Sequence, residues 1–132
     1  MKRKTKLRGF SLVELMIVVA IVAILVALAL PSYGRYIRKA NRGEAQQLLL
    51  NWANNQEIWR ANDVNYAVDG EIPYPTHDKY NFTYAFVPTA TTYTLRATAK
   101  TGSDQVNDKE QGDPCTPLEL NQSNAKAPIA CW

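Results

Sequence analysis

One histidine, His77, and two cysteines, Cys115 and Cys131, are all that this chain of 132 residues holds of the soft metal ligands. A structural zinc site needs a tetrahedral set of such side chains, so none can be built from them. No Gly-rich phosphate loop is present. No nucleophile, base and orienting group stand at a recognisable spacing. Repeats and low-complexity tracts are also missing. The chain therefore reads as a non-enzyme that needs no cofactor, and His77, alone in the loop "PTHD", reads as a surface residue. A real basic excess is lacking too. The formal net charge is +3, but Lys2, Arg3, Lys4, Lys6 and Arg8 all precede Phe10. Without them 10 basic residues face 12 acidic ones, and a nucleic-acid partner inferred from net charge disappears with that segment.

Charge is rarest between Phe10 and Leu30. Leu15 to Leu30 is a run of sixteen apolar residues, and with Phe10 to Glu14 the segment reaches 21. As a helix that is roughly 31 Å, one hydrocarbon thickness. The basic cluster before it predicts a cytoplasmic N-terminus. Three readings fit: a secretory signal peptide, for which Ala27-Leu28-Ala29 offers a small-residue cleavage site; a plain single-pass anchor; or a specialised segment. The first two leave Glu14 unexplained. A carboxylate in hydrocarbon costs several kcal/mol unless it is partnered or protonated.

Gly9-Phe10-Ser11-Leu12-Val13-Glu14, after a short basic leader and before an unbroken apolar run, resembles the class III signal of type IV pilins. The resemblance implies that a prepilin peptidase cuts after Gly9 and methylates the new amine on Phe10. It also places Glu14 at the family's glutamate, the fifth mature residue. The acid would neutralise the Phe10 amine of a neighbouring subunit, so two costly groups become one compensated pair that also sets register.

Pro31 ends the apolar run and is expected to kink or locally open a continuing helix; Gly34 and Gly43 weaken the helix nearby. Arg35, Arg38, Lys39 and Arg42 read as a solvated helix face touching lipid headgroups, with a DNA-binding stripe as the sharper alternative. From Glu44 to Asn62 the pattern is amphipathic, with Ala45, Leu48, Leu49, Trp52 and Trp59 on one face and both tryptophans expected in the core. Residues 63–80, rich in Pro and Gly, form a loop between helix and sheet. Asn81 to Val87 alternates with Phe82, Tyr84 and Phe86 on one face. Thr92 to Lys100 alternates with Tyr93, Leu95, Ala97 and Ala99 opposite Thr94, Arg96 and Thr98, and a turn joins the two as an antiparallel hairpin. "GSDQVNDKEQGDP" reads as a polar loop. A third strand runs Pro117 to Asn121, and "NQSN" turns after it; Asn124 can take the left-handed conformation. A fourth strand is not located. Asn81 and Asn121 head weak glycosylation sequons.

The two cysteines allow one pairing. Closing about 15 residues contributes about 3 kcal/mol and suits an oxidising periplasm. "TTYTLRATA", "LELNQS" and the terminal "CW" are similar to PilE-type minor pilins, in which the cysteine pair bounds a C-terminal loop.

The expected fold is α+β: a type IV pilin fold with a long N-terminal transmembrane helix on a small antiparallel sheet and a Cys115–Cys131 loop. The divisions are a cleaved leader (1–9), a membrane and assembly helix (10–30), its amphipathic continuation (31–62), a loop (63–80) and the sheet region (81–132). The resemblance implies a subunit, in the role of a minor pilin, of an extracellular pilus of a Gram-negative bacterium, serving biogenesis, adhesion, twitching motility or DNA uptake. Before assembly it would sit in the inner membrane with its head in the periplasm. Its partners would be the prepilin peptidase, other pilin subunits and the inner-membrane assembly platform. Two alternatives remain. A type II secretion pseudopilin would use Asp104, Asp108, Glu110 and Asp113 as calcium oxygens. A DNA-binding competence pilin would rely on Arg60, Lys79, Arg96, Lys100, Lys109 and Lys126, which the head's acids outnumber.

Overall fold

The computed structural model describes residues 9–132. The leader's basic cluster lies outside the described residues. The chain divides into two compact units, one reaching to Arg35 and one spanning Tyr36–Trp132. Helix α1, Leu12–Arg60, contributes residues to both.

In the first unit the helix begins where the Leu15 N–H donates to the Ser11 carbonyl at 3.1 Å. Glu14 falls in its first turn, where a negative charge complements the partial positive charge of the exposed N–H groups. The helix continues unbroken through Pro31, so the local opening expected there is corrected. Proline removes one ladder hydrogen bond, but propagation from a long run on one side and from Tyr33 to Arg38 on the other is favourable once a helix is nucleated.

The second unit packs one stripe of α1 onto a sheet. Arg42, Ala45, Leu49, Trp52 and Gln56 are buried at alternating spacings of three and four, the period that keeps residues on one helix face. Strands β1 (Tyr80–Tyr84), β2 (Thr94–Ala99), β5 (Leu118–Asn121) and β6 (Lys126–Ala127) form the sheet in the order β1-β2-β5-β6. All the pairings are antiparallel, with Phe82 opposite Ala97 and Leu95 opposite Leu120. Tyr80, Phe82, Leu95, Ala97, Leu118 and Leu120 turn inward. Trp52 meets Tyr74 and Tyr84 at ring-centroid distances of 5.0 and 4.8 Å, so the loop after α1 closes over the same core. A two-stranded ribbon, β3 (Lys109–Glu110) and β4 (Asp113–Pro114), rises from the polar loop. It turns on Gln111 and Gly112, both left-handed. Asn124 is left-handed as well, with φ 58°, as its turn requires.

Several expectations are corrected. β1 stops at Tyr84, and Phe86 is 74% exposed. The chain leaves the ladder after the Ala85 N–H reaches the Thr94 carbonyl. Trp59 is half-buried rather than core; Gln56 holds the last buried place in the stripe instead. His77 is half-buried rather than a free surface side chain. Its side chain is 9% exposed, its Nδ1 accepts the Lys79 N–H, and its Nε2 faces Glu44 at 3.1 Å.

Candidate assembly site

The residues singled out in the sequence fall into two groups. Gly9, Phe10 and Glu14 lie in the first unit, all exposed, Phe10 at 83%. Every side chain from Leu12 to Leu30 is exposed, including Leu28 at 71%. α1 is long and apolar enough there to cross a membrane. A helix apolar all round is not stable facing water, so this surface requires lipid or other helices. Glu14, its one charge, has no ion-pair partner among the described residues.

Cys115 and Cys131 form the second group, in the second unit. They are bonded, with Cα atoms 5.5 Å apart. Both are buried, and α1 holds their loop from two positions. The Gln46 side-chain N–H donates to the Cys131 carbonyl. Arg42, with its side chain 5% exposed, pairs with Asp108 at 3.3 Å, forks to Glu110, and touches the Cys115 sulfur.

Gln105 extends this network. Its amide nitrogen donates to the Arg38 carbonyl, the Tyr80 hydroxyl and Asp108, while its oxygen accepts from Asn41. Arg38 in turn binds Asp104 at 2.6 Å. A buried charge tolerates its place only when paired and hydrogen-bonded, and each member here meets that condition. The titrations follow the geometry. Burial pushes the Asp108 carboxyl up, while Arg42 opposes it. The hydrogen bond from Arg42 lowers Glu110, and the one from Arg38 lowers Asp104. Burial carries the Tyr80 phenol to about 12, so it stays neutral.

The sequence reading of Arg38 and Arg42 as a solvated face is therefore corrected. Arg42 is spaced three residues before Ala45 and seven before Leu49, and that spacing was the available signal. Three of the four carboxylates offered to calcium, Asp104, Asp108 and Glu110, are engaged by arginine. At Asn121 the side-chain oxygen accepts the Ser123 and Ala125 N–H groups, which closes the turn into β6.

Two family matches together cover residues 4–119 of the chain. The prokaryotic N-terminal methylation motif matches residues 4–30, and the family described as "Type IV minor pilin ComP, DNA uptake sequence receptor" matches residues 31–119. The chain belongs to the type IV minor pilins. This pilin is 36% identical over 104 residues to the type IV major fimbrial protein FimA of Dichelobacter nodosus, covering 75% of this chain and 65% of the relative. It is 35% identical over 79 residues to prepilin peptidase-dependent protein D of Escherichia coli strain K12, covering 57% and 54%. It thus spans about two thirds or less of those relatives' lengths. Among solved structures, a type IV pilin from Shewanella oneidensis aligns with TM-score 0.53 at 23% identity, over 72% of this pilin and 97% of that chain. The minor pilin PilV of Neisseria meningitidis aligns with TM-score 0.56 at 18% identity, over 70% and 86%. These two likenesses establish the type IV pilin fold.

Proposed function

We propose that this pilin is a structural subunit, in a minor role, of an extracellular type IV pilus. The prepilin peptidase cuts after Gly9 and the Phe10 amine is methylated. The apolar segment of α1 holds the subunit in the inner membrane, with the head in the periplasm of a Gram-negative cell, until the assembly platform extracts it into the filament. One observation carries this reading: an apolar helix surface with no partner among the described residues and a single carboxylate in its first turn. The match of the methylation motif to residues 4–30 supports it. Intact mass of the processed protein is the test. The expected product begins at Phe10 and is one methyl group heavier than the bare chain. A product beginning at Leu30 means that the segment is a secretory signal.

DNA uptake is the second reading, favoured by the match over residues 31–119 to a family described as a DNA uptake sequence receptor. Ion pairing neutralises four of the head's acids at the cost of three of its arginines. Asp104, Asp108, Glu110 and Glu119 are taken up by Arg38, Arg42 and Arg96. Other acids, Asp63, Asp69, Glu71 and Asp78, gather in the loop after α1. Lys126 lies 5.0 Å from the Trp132 ring centroid beside the disulfide, a cation placed where it can meet a backbone phosphate. Fluorescence anisotropy with duplex DNA should show affinity that falls as salt rises and drops further in Lys126→Ala. Affinity indifferent to salt removes this reading and leaves the filament role intact.

A further inference from the structure

Trp59 stands one helical step beyond Gln56 in the buried stripe, yet the sheet does not reach it. Beside it lies a groove of about 460 Å³ formed by Asn55, Ile58, Trp59, Asn62, Ile72 and Pro73. The volume falls within the range of about 300–1,000 Å³ typical of small-ligand sites. The floor is apolar: an indole left half-buried, Ile58 at 57% exposure, and the Ile72-Pro73 segment of the following loop. Two asparagine amides supply the polar groups, and no charged residue lines the groove. The Asn62 amide N–H donates to the Ile58 carbonyl at 3.1 Å, which fixes that side chain and leaves its oxygen as an acceptor. The Asn55 amide and the Trp59 indole N–H make no hydrogen bond among the described residues.

This donor and acceptor set selects a ligand class. A phosphate or carboxylate needs a cation, and none lines the groove. A purely apolar ligand would desolvate two amides without replacing their hydrogen bonds, which is costly. A pyranose ring satisfies both demands. Its C–H face packs on the indole, and its hydroxyls, each donor and acceptor, meet the amides.

We infer that this groove binds a neutral carbohydrate, a hexose or N-acetylhexosamine unit, stacked on Trp59 and held by Asn55 and Asn62. The site is separate from the disulfide loop and from Lys126. Its ligand recognition therefore does not depend on the filament or DNA readings.

The test uses the full chain in detergent micelles on an array of neutral and acidic oligosaccharides. Saturation-transfer NMR then follows the neutral disaccharides N,N′-diacetylchitobiose and lactose. Retention of neutral glycans is expected, with ring C–H protons receiving the strongest transfer. Trp59→Ala should weaken binding tenfold or more, Trp59→Phe should lose less, and Asn55→Asp should lose at least several-fold. Near-UV circular dichroism of Trp59→Phe and Asn55→Asp confirms the fold, so those two variants decide the matter if Trp59→Ala misfolds. Three results overturn the inference: no neutral glycan above background, binding equal to wild type in Asn55→Asp and Trp59→Phe together, or a preference for acidic glycans. A Trp59→Ala variant that loses filament assembly while the wild type binds no glycan would make the groove a subunit contact instead.

Discussion

Arg42→Ala is expected to destabilise the head by about 3–5 kcal/mol, the usual cost of removing one partner from a buried ion pair. The variant leaves Asp108, whose side chain is 5% exposed, without a cation. Glu110 and the sulfur of Cys115 also lose their contact. Burial already raises Asp108, with Arg42 as the main opposing influence, so without the arginine its folded-state value rises further. A carboxyl raised in the folded state favours folding at low pH, and that advantage is lost as pH rises through the raised value. The deficit of Arg42→Ala should therefore shrink on acidification from neutral pH toward the ordinary carboxylate range. Glu110 and Asp104 act in the opposite sense. Their lowered values make a stabilising contribution at neutral pH that fades on acidification, but both sit in more open positions. Adding Asp108→Asn to Arg42→Ala should recover part of the loss, because the orphaned charge is gone. Urea unfolding at two pH values measures all of this. A deficit that ignores both pH and the second substitution would show that the ion pair is not the source.

At the other end of the chain, Glu14→Ala is expected to leave processing and membrane insertion intact and to abolish entry into filaments. On the processing proposed above, the peptidase reads the leader and Gly9 rather than the acid, and removal of an acid favours an apolar helix in lipid. On the proposed pairing, the cost arises only on assembly, when the Phe10 amine enters an apolar bundle with no carboxylate to meet it. About 3–5 kcal/mol for an unpaired buried charge corresponds to roughly two to three orders of magnitude or more in incorporation. Glu14→Gln should be intermediate, since an amide accepts a hydrogen bond without carrying charge. Cell fractionation, with processed protein scored in membrane and sheared-filament pools, checks this. Normal incorporation of processed Glu14→Ala would defeat the pairing. A cleavage failure would make Glu14 a determinant of processing. The position of Glu14 in the first turn of α1 adds a local reason for an acid there, because the helix terminus itself offsets some of its cost.

The hairpin and β5 were legible because their inward residues alternate with polar ones over several positions. The apolar helix was legible from its length, and Glu14 stood out as a chemical anomaly within it. β6 escaped because two residues, Lys126 and Ala127, carry no period. Arg42 and Gln56 were missed for a shared reason. A search for apolar periodicity passes over polar side chains, yet both occupy core positions of the same stripe. Their helical spacing places them on the stripe, but their burial depends on partners distant in sequence, Asp108 and Glu110 for one and Ala67 for the other. His77 follows the same pattern, because Glu44 comes to it only through the fold.

Gln56 grips the loop after α1 by its main chain. The amide oxygen accepts the Ala67 N–H at 2.9 Å, and the amide nitrogen donates to the Ala67 carbonyl at 3.0 Å and to the Tyr84 hydroxyl. A clasp on peptide groups is blind to most of the letters around it; it asks only that position 67 stay small enough to remain buried. Substitutions at the exposed neighbours Val64 and Asn65 are then expected to leave the backbone that displays them in place. The outward chemistry of this loop is thereby uncoupled from the path of its backbone.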